Sequence, residues 1–352
     1  MREKSSFDTP NEACEHDELF LQRAFELAWQ VPLCQLKTNP RVGAVVVKNK
    51  KIIAEGAHQH FGKEHAEVTA LSQISSQEIT PETTLYVTLE PCNHFGKTPP
   101  CTELIIQKKV ARVVVGCLDP NPLTFGSGIN KLQSEGIQVV LSKNPALYQV
   151  LIKPFWINQV QKRPFVILKW AQSTDGFIAR PASRTAISGY ESQIQTHYLR
   201  SQVMAILIGG NTARIDSPQL NNRFFSNNLL QPIIWSNSGN FPVSQYQIPP
   251  IVISEEALQS HKLLKITPEE SMLDWLKRLL KVYQVSSVLV EGGAQVLNQF
   301  IAENLWDEAF RITAPIKVHA GINAPAAELF NWQRHFQLGQ DLWEKASNNH
   351  LK

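Results

Sequence analysis

Between residues 18 and 141, amphipathic stretches and short apolar runs follow one another in alternation, and that alternation confines this half of the chain to an α/β fold. Residues 18–30 (ELFLQRAFELAWQ) put Leu19, Phe20, Ala24, Leu27 and Ala28 near helical spacing and predict a helix. Residues 41–47 (RVGAVVV) read as a buried strand, 48–51 as a turn and 52–55 as the second arm of a hairpin. Helices are predicted over 65–74, 102–109 and 129–134, and strands over 84–89, 110–115 and 136–141. A three-layer arrangement, helices on both faces of one sheet, is the expected result.

The chain has 352 residues, too many for one ordinary domain, so two of roughly 150–200 residues are expected. A helical connector over 144–160 leads to a second α/β series: strand 165–170, helix 192–202, then strands 203–208, 249–253 and 287–290. The boundary is placed at 149/150, and the Asn- and Ser-rich stretch 223–242 reads as surface loop.

Composition closes several function classes. Hydrophobic residues make up 43% and charged residues 18%, as in a soluble globular chain. No run approaches the roughly 18 apolar residues of a membrane span, and the N-terminus lacks an apolar signal segment. Net charge is +3, and neither half is basic enough for a nucleic-acid footprint. An odd count of cysteines (Cys14, Cys34, Cys92, Cys101, Cys117) argues against a disulfide framework. It favours a reducing, cytoplasmic setting with metal-binding or catalytic thiols.

The strongest chemical signal is His65-Ala66-Glu67, followed by Pro91-Cys92 and Pro100-Cys101. One imidazole and two thiolates, His65, Cys92 and Cys101, give three ligands for one zinc and leave the fourth tetrahedral position open for water. Each lies at or near a predicted helix start, where partial positive charge favours thiolate. Glu67 is expected to stay off the metal, as the carboxylate that takes the water's proton and hands it to a leaving amine. Taken singly, Cys92 and Cys101 read as buried small residues and His65 as a helix-start histidine. H-x-E with P-C-x-x-C marks zinc nucleobase deaminases, but here eight residues rather than two separate the cysteines.

That longer spacing, in Thr88-Leu89-Glu90-Pro91-Cys92 through Pro99-Pro100-Cys101, together with His65-Ala66-Glu67-Val68 and Asp119-Pro120-Asn121-Pro122, resembles the deaminase half of the bifunctional riboflavin-biosynthesis deaminase/reductase family. The resemblance runs from about Asp17 to Leu141. It implies a cytidine-deaminase-like fold and substrate contacts from Asn39, His94 and Lys97. His94 and Lys97 lie in a segment tethered at both ends by the expected ligands. Arg41 departs from the family, which more often has asparagine there.

In the second half, Gly209-Gly210-Asn211-Thr212 and Glu291-Gly292-Gly293-Ala294 each follow an apolar strand. Such glycines let a cofactor approach the backbone, though either pair alone reads equally as a tight turn. Leu168-Lys169-Trp170 through Ser173-Thr174-Asp175-Gly176, then His197-Tyr198-Leu199-Arg200, Pro218-Gln219-Leu220 with Arg223, and Val290-Glu291-Gly292-Gly293 resemble the reductase domain of the same family. The resemblance implies a dihydrofolate-reductase-like fold using NADPH. Ala171, Ala186, Thr212, Asp216 and Gly293 would face the cofactor, and Arg184, Arg200, Leu220, Arg223 and Glu291 the substrate. Arg200 and Arg223 suit a sugar phosphate, and Lys169 could donate a proton as the sugar ring opens. Ala186 stands where many relatives have tryptophan, and the segment before it is about one residue short.

The expected activity is therefore twofold: deamination of 2,5-diamino-6-(5-phosphoribosylamino)pyrimidin-4-one, then reduction of its ribosyl group. Small phosphorylated pyrimidines are the expected partners, with neither nucleic acid nor membrane, in a homo-oligomer. A nucleic-acid-editing deaminase, a zinc-stabilised binding protein and a deaminase with an altered reductase domain are the rival readings.

Overall fold

The protein is described here from a computed structural model, covering residues 11–96, 99–121, 124–180, 185–225, 230–238, 240–256, 262–328 and 330–348. The chain divides into two compact units, residues 1–160 and 161–352.

The first unit contains β1 (Asn11–Glu12), α1 (Glu15–Trp29), α2 (Leu33–Leu36), β2 (Gly43–Lys48), β3 (Lys51–Ala57), α3 (Ala66–Leu71), β4 (Thr83–Leu89), α4 (Cys101–Gln107), β5 (Arg112–Cys117), α5 (Ser127–Ser134), β6 (Gln138–Leu141) and α6 (Pro145–Trp156). Its sheet runs β1-β6-β5-β4-β2-β3, parallel from β1 to β4 and antiparallel across β2 and β3. Two glycines let helices press on both faces. A Cβ at Gly43 would stand 2.0 Å from the Ala24 carbonyl oxygen of α1, and one at Gly56 2.7 Å from that of Ala66 in α3. Gly43 pairs with Ala57 and Gly56 with Ala44, so neighbouring rungs of one ladder serve opposite layers.

The expected boundary at 149/150 falls inside α6. That helix belongs with the first unit because Tyr148, Leu151 and Ile152 are buried in the first core. The chain leaves the unit through a π-helical turn, Ile157–Gln161.

The second unit contains β7 (Phe165–Ser173), β8 (Phe177–Ala179), α7 (Tyr190–Ser201), β9 (Ala205–Gly209), α8 (Gly210–Asp216), β10 (Gln231–Trp235), β11 (Ile251–Ser254), β12 (Lys262–Lys265), α9 (Met272–Tyr283), β13 (Ser287–Val290), α10 (Ala294–Ala302), β14 (Glu308–Ala314), β15 (Ile322–Asn323), β16 (Gln333–Leu338) and β17 (Asp341–Ser347). The sheet order is β12-β11-β10-β9-β13-β7-β14-β17-β16, parallel from β12 to β14 and closed by the antiparallel pair β17 and β16. β8 and β15 form a separate two-stranded ribbon. Alternate residues of the central strands, such as Val166, Leu168, Leu207 and Val288, pack on Trp275, Leu276, Leu297 and Phe300, which lie on α9 and α10. Their neighbours Ile167, Ile206 and Leu289 are buried on the other face. Covered on both sides, these strands read as continuous apolar runs rather than alternating ones.

One expectation fails outright. The stretch 223–242 is not all surface loop, because β10 lies in the interior of the sheet with Ile233 and Ile234 fully buried. Among the described residues, no helix is long and apolar enough to cross a membrane.

Candidate active sites

In the first unit, three elements deliver His65, Cys92 and Cys101 to one point. His65 is the extended residue that opens α3, Cys92 lies in the loop after β4, and Cys101 is the first residue of α4. Cys92 Sγ is 3.5 Å and Cys101 Sγ 3.3 Å from His65 Nδ1. The backbone N–H of Cys101 donates to Cys92 Sγ at 3.3 Å. All three donor atoms lie within 4.8 Å of one another, and among the described residues this is the one cluster able to hold a metal ion.

The donor set fits zinc, a borderline-soft ion that takes imidazole nitrogen and thiolate sulfur. The two thiols perturb each other strongly. The hydrogen bond from Cys101 draws Cys92 down to about 4, while Cys101 is driven far above the usual thiol range by the same bond. Glu67, in the first turn of α3, is buried. Burial, with the Cys92 charge beside it, pushes its carboxyl up to about 7. A group poised there can both accept and donate a proton near neutral pH.

A cavity of about 260 Å³ opens beside this cluster, lined by Asn39, His58, His65, Glu67, Glu90, Cys92, His94, Asp119 and Phe155 among others. Asn39 and His94 thus reach it as expected, whereas Lys97 lies outside the described residues. Arg41 is absent from the lining. It is buried, its Nε donates to the Val31 carbonyl at 2.7 Å, and its guanidinium lies 5.2 Å from the Trp29 ring. Sequence reasoning missed His58. Its Nδ1 pairs with the Glu64 carbonyl at 2.8 Å, which leaves Nε2 to accept the Asn39 amide N–H at 2.9 Å.

In the second unit, a cavity of about 840 Å³ lies across the carboxyl ends of neighbouring parallel strands. The order reverses here, since the chain passes from β9 outward to β10 and returns to β13 on the other side, and such switch points are where open α/β sheets bind ligands. All five residues expected at the cofactor, Ala171, Ala186, Thr212, Asp216 and Gly293, line it, as do Lys169 and Glu291. The glycine pairs are more than turns. Gly209 and Gly293 open α8 and α10, and the Gly293 N–H donates to Thr212 Oγ1 at 3.1 Å. A Cβ at Gly292 would fall 2.8 Å from the Gly209 nitrogen, so the two strand ends meet only because that side chain is missing.

The expected substrate residues divide. Glu291 lines the cavity, whereas Arg200, Leu220 and Arg223 are not among its lining residues, and Arg184 lies outside the described residues. Arg200 is committed elsewhere. Its Nε and Nη2 grip Glu291 at 2.8 and 3.0 Å, and Nη1 donates to the Asn221 carbonyl at 3.1 Å. Lys169 Nζ stands 3.7 Å from the same carboxylate. Despite burial, the charges of Arg200 and Lys169 hold Glu291 down at about 2, and burial pulls the Lys169 ammonium below its ordinary value. Ser236 and Asn237, also in the lining, fall in the stretch 223–242 whose composition predicts a surface loop.

Residues 14–117 match the family model of the cytidine and deoxycytidylate deaminase zinc-binding region, and residues 164–324 that of the RibD C-terminal domain. The riboflavin biosynthesis protein RibD of Aquifex aeolicus is 38% identical over 299 residues, covering 81% of this chain and 83% of that protein. The chain belongs to the RibD family. The RibD protein of Synechocystis is 34% identical over 323 residues, covering 88% of this chain and 87% of its own. A solved Thermotoga maritima structure, described as a diaminohydroxyphosphoribosylaminopyrimidine deaminase/5-amino-6-(5-phosphoribosylamino)uracil reductase, superposes with a TM-score of 0.83 at 32% identity, covering 95% of this chain and 99% of that one. Acinetobacter baumannii RibD gives 0.80 at 31% identity with the same coverage. This RibD family member is thus an enzyme with a deaminase unit followed by a reductase unit.

Proposed function

We propose that the first unit hydrolytically deaminates 2,5-diamino-6-(5-phosphoribosylamino)pyrimidin-4-one and that the second reduces the ribosyl group of the product to ribityl with NADPH. The observation that carries the reading is the convergence of His65, Cys92 and Cys101 on one point beside buried Glu67. Zinc, when bound by those three donors, supplies Lewis-acid activation of a water. Glu67 takes the proton of the attacking water and delivers it to the departing amine, a task suited to a buried carboxyl beside the three donors. Asn39, oriented by His58, and His94 on the rim bind the pyrimidine; Lys97 is assigned to the same substrate from its place in the tethered segment.

NADPH, when bound, supplies the hydride for the sugar carbon. Thr212, Asp216, Gly293, Ala171 and Ala186 hold it in the larger cavity. Lys169, its acidity raised by burial, donates toward the ring oxygen as the sugar opens, and Glu291 orients the ammonium. Arg184, Arg200, Leu220 and Arg223 are assigned to the substrate from the family pattern of residues, with Arg200 also positioning Glu291. A homo-oligomer working in the cytoplasm belongs to the same reading.

The test follows ammonia release and NADPH oxidation together on the zinc-loaded protein. Both signals are expected, and Glu67→Gln should abolish both, because the reductase is starved of substrate. Ammonia without NADPH consumption would sink the reductase half of the reading, and no ammonia would sink the substrate.

A further inference from the structure

Next to the metal donors stands a buried carboxylate that the proton transfers do not use. Glu90 is 5% exposed and immediately precedes Pro91-Cys92. Its Oε2 accepts the backbone N–H groups of Asp119 (3.1 Å) and Gly126 (3.0 Å), and its Oε1 those of Gly128 (2.9 Å) and Ile129 (3.4 Å). Four donors on one carboxylate, two per oxygen, make up its whole accepting capacity.

The four amides span the connection from β5 into α5, so this one side chain fastens that connection to the segment carrying Cys92. The fit leaves no slack, since a Cβ at Gly128 would lie 2.0 Å from the Pro91 carbonyl oxygen. The same connection bears Asp119, a residue that lines the smaller cavity with Glu67 and Cys92. Asp119 is itself locked in place, with Oδ1 accepting the Asn121 N–H (3.0 Å) and Oδ2 the Thr124 hydroxyl (2.9 Å). Each of its oxygens keeps accepting capacity for a ligand bearing N–H or O–H groups. The core does not need a carboxylate at position 90; a loop that must hold an acceptor at a fixed distance from the metal donors does.

We propose that Glu90 is a positioning residue for substrate: through four backbone hydrogen bonds it sets Asp119 in the deaminase cavity, where Asp119 accepts from amino or hydroxyl groups of the phosphoribosylaminopyrimidine. This inference rests on the deaminase reading above.

Glu90→Gln preserves shape but turns an amide NH₂ against two of the four donors. It should raise KM for the pyrimidine about tenfold or more, with kcat within about threefold and zinc content unchanged, the scale expected for charge-assisted bonds lost in a buried site. Hydrogen exchange at Gly126 and Gly128 should quicken in the same variant. Combined with Asp119→Asn, it should cost little beyond Asp119→Asn alone, because both act through one carboxylate. A fall in kcat at unchanged KM, loss of zinc, or additive losses overturn the proposal. Should Glu90→Gln fail to fold, Glu90→Asp keeps the charge with a shorter reach and is read out in the same way; its failing to fold as well would assign Glu90 to folding and overturn the proposal. A wild-type enzyme that releases no ammonia defeats the deaminase reading itself, whereas an active wild type with an unaffected Glu90→Gln defeats only this inference.

Discussion

Arg200→Met in the second unit tests whether that arginine serves the substrate or serves Glu291. In the structure the guanidinium is bound through two nitrogens to Glu291, and both side chains are largely buried, at 14% and 10% exposure. Glu291 sits at about 2 against an ordinary 4.5, a difference worth about 3 kcal/mol of folding stability at neutral pH. Methionine fills much of the arginine stem but leaves the carboxylate with Lys169, at 3.7 Å, in place of a two-point guanidinium, so the loss at pH 7 should be about 3–5 kcal/mol. A depressed carboxylate stabilises fully above its unfolded value and ceases to do so as pH falls through its folded one. The gap between wild type and variant should therefore be full above pH 4.5 and shrink steadily towards pH 2. Six of the eight tryptophans (Trp170, Trp235, Trp275, Trp306, Trp332, Trp343) belong to this unit, so fluorescence-monitored urea unfolding across that range reads it directly. Equal stability at pH 7, or a gap that ignores pH, would refute the assignment of Arg200 to Glu291.

Three further outcomes are expected. Asp307→Asn should cost the second unit about 3–5 kcal/mol in urea unfolding, because Arg163 and Asp307 form a fully buried two-point pair at 2.7 and 2.8 Å; a cost below about 1 kcal/mol would contradict this. Cys101→Ser should lower zinc affinity by more than about a hundredfold in a competition titration, since losing a ligand must exceed the 10–100-fold typical of outer partners; retention of zinc would remove Cys101 from the site. Gly43→Ala should destabilise the first unit by about 3 kcal/mol, with Ala24 unable to yield; a thermal midpoint unchanged from wild type would show that α1 can move aside.

The smaller site was legible because its chemistry is compressed into few residues. His65, Glu67, Cys92 and Cys101 stand at positions fixed by helix starts and a strand end, so naming the elements nearly named the geometry. His58 and Glu90 escaped notice as actors because their partners are a side chain 19 residues away and amides 29 to 39 residues away, distances no local pattern encodes. β10 was missed for a related reason. Its buried run is only Pro232-Ile233-Ile234, too short for periodicity, and neighbours on both sides rather than its own composition make it a strand. Chemical type suggests a phosphate for Arg200, and its pairing with Glu291, 91 residues away, is beyond what a local pattern encodes.

None of the three metal donors belongs to the hydrophobic cluster that holds the first unit together. The donors are presented instead by the element ends around that core, His65 and Cys101 where α3 and α4 begin and Cys92 after β4, so the scaffold and the site it carries draw on different side chains.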